Sequence, residues 1–85
     1  MYYLIGIKGT GMSALALALK SLGCDVIGSD KTNKYFTEYE LEKNNISILE
    51  FNKNNIDNHK NCNFIISYAY NEFNNEEVRR LKELN

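Results

Sequence analysis

The chain has 85 residues, with 10 Lys and Arg against 11 Asp and Glu, so its formal net charge is −1. This balance argues against a surface that binds many nucleic-acid phosphates. No apolar run approaches the roughly 20 residues of a membrane-spanning helix, and the first residues show neither the basic region nor the small-residue cleavage site of a signal peptide. Because 44% of the residues are hydrophobic, the chain can form a core. We expect one small cytoplasmic domain that contacts neither nucleic acid nor membrane.

The chain begins with a pattern typical of a strand, a tight loop and a helix. Residues 2–7 are almost continuously apolar, as in a central parallel strand that is covered on both faces. A helix is predicted over residues 12–22, after a cluster of glycines. Leu15, Leu19 and Leu22 recur at helical spacing, so we expect them on its inner face.

The remaining residues alternate between further strands and helices. Strands are predicted over residues 25–30, 46–51 and 63–67, helices over 37–44 and 74–84, and one helical turn near Ile56. This order, with short connections, predicts an α/β fold in which helices cover both faces of a parallel sheet. Right-handed crossovers give a Rossmann-like three-layer domain of about four strands in the order 3-2-1-4.

The two later helices carry similar start signals. Thr37 followed by Glu40, and Asn74 followed by Glu77, fit the spacing of an N-cap and its acidic partner. A phenylalanine precedes each of these N-caps. We expect it to pack against the first turn of its helix as a hydrophobic staple.

The glycine cluster, Gly6-Ile7-Lys8-Gly9-Thr10-Gly11, is close to the dinucleotide-binding fingerprint G-x-G-x-x-G without matching it. Gly6 and Gly11 fill the first and third glycine positions, and Lys8 stands at the second. Glycines allow the close approach of a ligand, and the N-terminus of the next helix favours an anion. The pattern predicts a diphosphate site on the following residues: Lys8, Gly9, Thr10, Gly11, Met12 and Ser13.

Two other loops are expected to meet this one at the carboxyl ends of the strands, where ligands bind in such sheets. Asp30 lies 19 residues after Gly11, about where a ribose-binding acid is found in dinucleotide-binding folds. Ser67 and Ala69 follow the fourth strand, and their backbone N–H groups would face the same ligand. Tyr68 and Tyr70 are expected either to stack on a base or to cover the end of the sheet.

Catalytic and metal-binding patterns are missing from the sequence. There is no G-x-x-x-x-G-K-[ST] segment of an ATP P-loop, no nucleophile–base pair, and no cluster with metal-ligand spacing. We therefore expect these residues to bind a ligand and not to catalyse. Two alternatives stay open: an NAD-binding domain of a dehydrogenase or ligand-gated regulator, and a scaffold in which the glycine loop is only a turn.

Residues 6–16, GIKGTGMSALA, resemble the start of the bacterial Mur ligases, and the resemblance extends over essentially the whole chain. Residues 28–30 resemble the end of that family's second strand, and residues 67–76 resemble its S-x-A-(I/F)-x-x-x-N-P-E segment. Asn75 stands where the family usually has proline. Tyr68 and Tyr70 replace smaller or aliphatic residues, which bears on the contact with uracil.

The resemblance implies a specific activity for a longer protein. Such an enzyme would join L-alanine to the lactyl carboxylate of UDP-N-acetylmuramic acid, with ATP and Mg²⁺, through an acyl phosphate. Residues 1–85 would be its UDP-sugar-binding N-terminal domain without the last strand, and ATP and L-alanine would bind to other domains. The glycine loop would hold the diphosphate. The ribose and uracil would lie near a second group of residues: Asp30, Thr37, Ser67, Tyr68 and Ala69.

Overall fold

A computed structural model describes residues 1–85 as four strands that alternate with four helices. In chain order the elements are β1 (Tyr2–Ile5), α1 (Thr10–Ser21), β2 (Val26–Asp30), α2 (Glu38–Lys43), β3 (Ser47–Glu50), α3 (Lys53–Asp57), β4 (Asn63–Ile66) and α4 (Glu76–Leu84). Every predicted element is therefore present. None of the helices is long and apolar enough to cross a bilayer.

The four strands form one parallel sheet in the order β3-β2-β1-β4, as predicted. Tyr2 of β1 pairs with Val26 on one side and with Asn63 on the other. Two apolar clusters cover the two faces of the sheet. One contains Leu4 and the buried Ala16 of α1, and the other contains Tyr3, Ile5, Ile56 and Val78. The α/β, Rossmann-like fold class is confirmed.

The inner face of α1 differs from the prediction. Ser13 and Ala16 are its buried residues, whereas Leu15 is exposed and Leu22 is 79% exposed. Only Leu19 of the three predicted leucines packs, partly buried, against the core. Small side chains on the buried face let a helix lie close to a sheet, and this packing outweighs the leucine periodicity.

The N-cap of α4 is Asn75 and not Asn74. The Oδ1 atom of Asn75 accepts hydrogen bonds from the amides of Glu77 and Val78, at 2.9 and 3.0 Å. The side chain of Asn74 instead donates to the carbonyl of Ala69 at 3.2 Å. Phe73 is 84% exposed, so the predicted staple does not form.

The start of α2 also differs from the predicted capping box. Thr37 already has helical backbone angles, and its side chain makes no capping hydrogen bond. Its hydroxyl donates to the carbonyl of Lys8 at 2.7 Å. Glu38, and not Glu40, reaches back along the chain, and its Oε1 atom accepts from the amide of Tyr35 at 3.2 Å. A contact with another segment of the fold has therefore replaced the local cap.

Candidate functional site

The glycine loop turns sharply away from β1 at Gly6. This residue has a φ of +87°, and a Cβ atom there would lie 2.8 Å from Cβ of Ser67. The amides of Gly6 and Ile7 both donate to the carbonyl of Ser29 at the end of β2. Gly6 is therefore required by the fold itself, through both its backbone conformation and its close contact with the loop after β4.

The N-terminus of α1 has three amides without a partner. The first backbone hydrogen bond that enters the helix runs from Ser13 to the carbonyl of Gly9, at 2.7 Å. The amides of Thr10, Gly11 and Met12 donate to no acceptor in the chain, and the first turn contains no acidic residue. Three free N–H groups at the positive end of a helix dipole form an environment that favours an anion.

Gly11 faces open space at this helix terminus. A Cβ atom added there meets no other atom within 4 Å, in contrast to Gly6. The fold therefore gives no steric reason for a glycine at this position. A ligand that approaches the backbone closely would supply such a reason.

A cleft of ≈190 Å³ adjoins the glycine loop and reaches the carboxyl end of β2. It is lined by Lys8, Gly9, Thr10, Asp30, Tyr35, Phe36 and Tyr70. The structure thus brings the glycine loop together with parts of the two loops that were expected to meet it. The sequence pattern predicts no binding role for Tyr35 and Phe36. The sequence feature that could have identified them is the pair of aromatic residues in a polar loop, where no hydrophobic core is available to bury them.

Asp30 is buried, and its carboxylate has partners in the chain. Its Oδ2 atom accepts from the amide of Lys8, and its Oδ1 atom accepts from the amide of Lys31, both at 2.8 Å. The hydroxyl of Tyr70 lies 3.5 Å from Oδ1. Burial, together with the negative charge of Asp30, raises the pKa of Tyr70. Asp30 therefore joins the glycine loop to the end of β2.

Lys8 is 6% exposed, and its ammonium contacts the loop between β2 and α2. The Nζ atom donates to the carbonyls of Lys31 and Asn33, at 2.6 and 2.8 Å. It also lies 2.7 Å from Oε1 of Glu38. Hydrogen bonding from Lys8 is the main cause that lowers the pKa of Glu38. The predicted contact between this ammonium and a phosphate stays a prediction, and the geometry gives the ammonium three other partners.

Two other hydroxyls predicted at the site also have partners in the chain. Ser13 is buried, and its hydroxyl donates to the carbonyl of Thr10 at 3.0 Å. Thr37 is buried under the glycine loop through its bond to Lys8. The side chain of Thr10 is exposed and makes no hydrogen bond, so it is available to a ligand.

The loop after β4 contributes less free backbone than expected. The amide of Ser67 continues the sheet and donates to the carbonyl of Ile5 at 2.9 Å. The amide of Ala69 lies 3.3 Å from the Ser67 hydroxyl and donates to it. Tyr68 is fully exposed, and its amide has no partner in the chain. In this loop, Tyr68 can therefore offer a ligand both a backbone N–H group and an aromatic ring.

The acidic residues near the cleft do not form a metal centre. No three His, Cys, Asp or Glu side chains come together in a group that could hold a metal ion. The site consists of backbone amides, the Thr10 hydroxyl, aromatic side chains, and the side chains of Lys8 and Asp30, which have partners in the chain.

Comparison with known proteins identifies relatives of the whole segment. The family model described as "Mur ligase family, catalytic domain" matches residues 1–85. UDP-N-acetylmuramate–L-alanine ligases of Streptococcus agalactiae serotypes Ia and V are each 47% identical to the chain over 77 residues. The match covers 91% of the chain and 17% of each relative. The chain thus spans about one-sixth of the length of these ligases.

A solved structure has the same fold. The crystal structure of UDP-N-acetylmuramate:L-alanyl-gamma-D-glutamyl-meso-diaminopimelate ligase from Neisseria meningitides superposes with a TM-score of 0.85 at 27% sequence identity. The match covers 98% of the chain and 26% of that ligase.

Proposed function

Since the chain belongs to the Mur ligase family, we propose that residues 1–85 are the UDP-sugar-binding N-terminal domain of an ATP-dependent ligase of peptidoglycan synthesis. The substrate would be UDP-N-acetylmuramic acid, which is named in the relatives at 47% identity. The chain matches 17% of those relatives, so the activity of a whole enzyme is part of the proposal.

One observation carries the proposed binding role: the three free amides of Thr10, Gly11 and Met12 beside the open space at Gly11. A diphosphate has acceptor oxygens for these donors and needs no basic side chain there. We propose that the backbone amides of Thr10, Gly11 and Met12, within the loop of residues 9–13, hold the diphosphate. The nucleoside would then extend along the cleft toward Asp30, Thr37 and the loop after β4.

The chemistry of the ligation would come from other parts of a longer protein. ATP and Mg²⁺ would activate the lactyl carboxylate there, and L-alanine would attack the acyl phosphate. We assign none of these contacts to residues 1–85, which would anchor one end of the nucleotide-linked substrate. A cytoplasmic location likewise stays a prediction.

NAD binding is the alternative that the sequence left open. Asp30 does not distinguish the two ligands, because both contain a ribose and a carboxylate can accept more than the two backbone hydrogen bonds seen here. Lys8, however, occupies the position of the second fingerprint glycine, where the pyrophosphate of a dinucleotide comes close. This position favours the UDP-sugar over NAD.

A chemical-shift titration of the 85-residue chain with UDP-N-acetylmuramic acid tests the proposal, with NAD as the parallel ligand. We expect shifts at residues 9–13 and 67–69 with the UDP-sugar alone. Gly11→Val should abolish them, because the branched side chain fills the space that a phosphate needs, while the helical signal remains. Shifts with NAD alone, or undiminished binding by the Gly11→Val variant, would overturn the proposal.

A further inference from the structure

The ammonium of Lys8 has used all of its hydrogen-bonding capacity within the chain. A lysine ammonium has three N–H donors and no acceptor. Three oxygens surround it at 2.6, 2.8 and 2.7 Å: the carbonyls of Lys31 and Asn33, and the carboxylate of Glu38. A phosphate could gain this ammonium only if one of these partners were given up.

All three partners belong to the loop between β2 and α2 or to the first residue of α2. The β2–α2 loop (residues 31–37) leaves the sheet at Lys31 and enters α2 at Glu38, and Lys8 contacts both ends. The carbonyl of Lys8 accepts from Thr37, and its amide donates to Asp30. Lys8 therefore binds the β2–α2 loop through its carbonyl and its side chain, and the end of β2 through its amide.

The loop that Lys8 holds carries aromatic residues into the cleft. Tyr35 and Phe36 line it opposite Gly9 and Thr10, although every residue from 31 to 36 is exposed. The ring of Tyr35 also lies over the ammonium of Lys8, with 5.7 Å between Nζ and the ring centroid. An exposed loop without a core of its own is mobile unless other contacts hold it.

We propose that Lys8 is a positioning residue that acts through Glu38 and is not a phosphate ligand. It holds the β2–α2 loop against the glycine loop, so that the aromatic wall of the cleft is in place before a ligand enters. Glu38 acts with it, because the carboxylate also accepts from the amide of Tyr35 at 3.2 Å. This inference rests on the proposed function only for its ligand measurements.

Lys8→Met tests the proposal, since methionine keeps much of the side-chain length and removes the charge. Lys34→Met is the matched control, because Lys34 approaches the same Glu38 carboxylate at 3.6 Å while its side chain is 87% exposed. The first readout needs no ligand: the heteronuclear NOE of the amides of residues 31–37. We expect it to fall in Lys8→Met and not in Lys34→Met. An unchanged NOE in Lys8→Met would overturn the proposal.

The second readout separates positioning from phosphate contact. If losing the Lys8 contacts leaves the loop in place about one-tenth of the time, the Kd for UDP-N-acetylmuramic acid rises about tenfold. The Kd for inorganic pyrophosphate should stay the same, because the backbone amides that hold it are unchanged. An equal loss of affinity for pyrophosphate would make Lys8 a phosphate ligand and overturn the proposal.

Glu38→Gln gives an independent test if Lys8→Met fails to fold. The positioning role predicts that this single variant shows the same loop motion and the same loss of UDP-sugar affinity. A phosphate-binding lysine predicts the opposite, since the loss of its carboxylate partner would free the ammonium for the ligand. If the wild-type chain bound neither ligand, the proposed function would fail. The NOE would still decide the role of Lys8.

Discussion

The hydroxyl of Tyr3, in the central strand β1, donates to the carboxylate of Glu77 in α4, and both carboxylate oxygens lie 3.1 Å from it. Glu77 is fully buried and also accepts from the hydroxyl of Ser29 at 2.5 Å. The amide of Asn52 and the side chain of Asn55 complete the set, at 3.0 and 2.9 Å. Four segments of the chain thus meet at one buried carboxylate.

Glu77→Gln should lower the free energy of unfolding by about 1–3 kcal/mol, because an amide NH₂ would face donors that now have an acceptor. Urea unfolding measures the change. The neighbouring Glu76→Gln is the matched control, since Glu76 is exposed, and its cost should stay within about 0.5 kcal/mol. Equal effects of the two variants would mean that the buried network adds nothing to stability.

The same network makes the protein sensitive to alkali. Burial raises the pKa of Tyr3 above its ordinary value of 10.0, and the charge of Glu77 adds to the shift. The folded state therefore keeps this proton at pH values where the unfolded state loses it. Stability is fully present below about pH 10 and falls as the pH rises beyond it.

The Tyr3→Phe variant isolates this effect. Its free energy of unfolding should lie below that of the wild type at neutral pH, and the difference should shrink above pH 10. Urea unfolding on both sides of that pH measures the difference, and tyrosinate absorbance follows the ionisation. A difference that stays constant with pH would show that Tyr3 does not govern the alkaline response.

The pair Lys8 and Glu38 predicts the corresponding effect in acid. Lys8 lowers the pKa of Glu38 below its ordinary value of 4.5. The stabilisation is therefore present above about pH 4.5 and is lost as the pH falls through the lower, folded-state pKa. Glu38→Gln should be less stable than the wild type at neutral pH, and urea unfolding should find the two converging in acid. Parallel pH profiles would contradict this.

Gly28 and Gly11 allow a comparison between a glycine that the packing of the fold requires and one that it does not. A Cβ atom at Gly28 would lie 2.6 Å from both the carbonyl oxygen of Leu4 and Cδ1 of Ile7, whereas one at Gly11 meets nothing. Gly28→Ala should therefore cost about 1–3 kcal/mol through overpacking. Gly11→Ala should leave stability unchanged or raise it by up to about 1 kcal/mol, since alanine favours a helix. Thermal unfolding compares them, and a stable Gly28→Ala would refute the steric argument.

The sheet order and the glycine loop were predictable because they follow from local sequence patterns and from the preferred handedness of crossover connections. Apolar runs, turn glycines and the handedness of crossovers were enough to place β1 at the centre of the sheet. The sequence predicts a helix start at Met12, whereas α1 begins at Thr10, so its free amides begin two residues earlier than expected.

The caps and the inner face of α1 were not predictable in the same way. Thr37 has the right residue type for an N-cap, but its hydroxyl bonds to Lys8, 29 residues away. The side chain of Asn74 bonds to Ala69 and Asn71 in the loop before α4, which leaves the cap to Asn75. Leu15 follows a helical period, yet closer packing was available through Ala16. The partners of Lys8 and Glu77 likewise come from distant segments, so only the folded chain could identify them.

The central place of β1 also bears on how the chain folds. Tyr2 pairs with Val26 on one side and with Asn63, much later in the chain, on the other. Closing the shorter loop costs less chain entropy, so we expect β1, β2 and β3 to assemble before β4 joins them. Glu77 lies in the segment after β4. Its carboxylate therefore loses water and gains its donors in the final step. That step is favourable only when the earlier segments already hold those donors in their native positions.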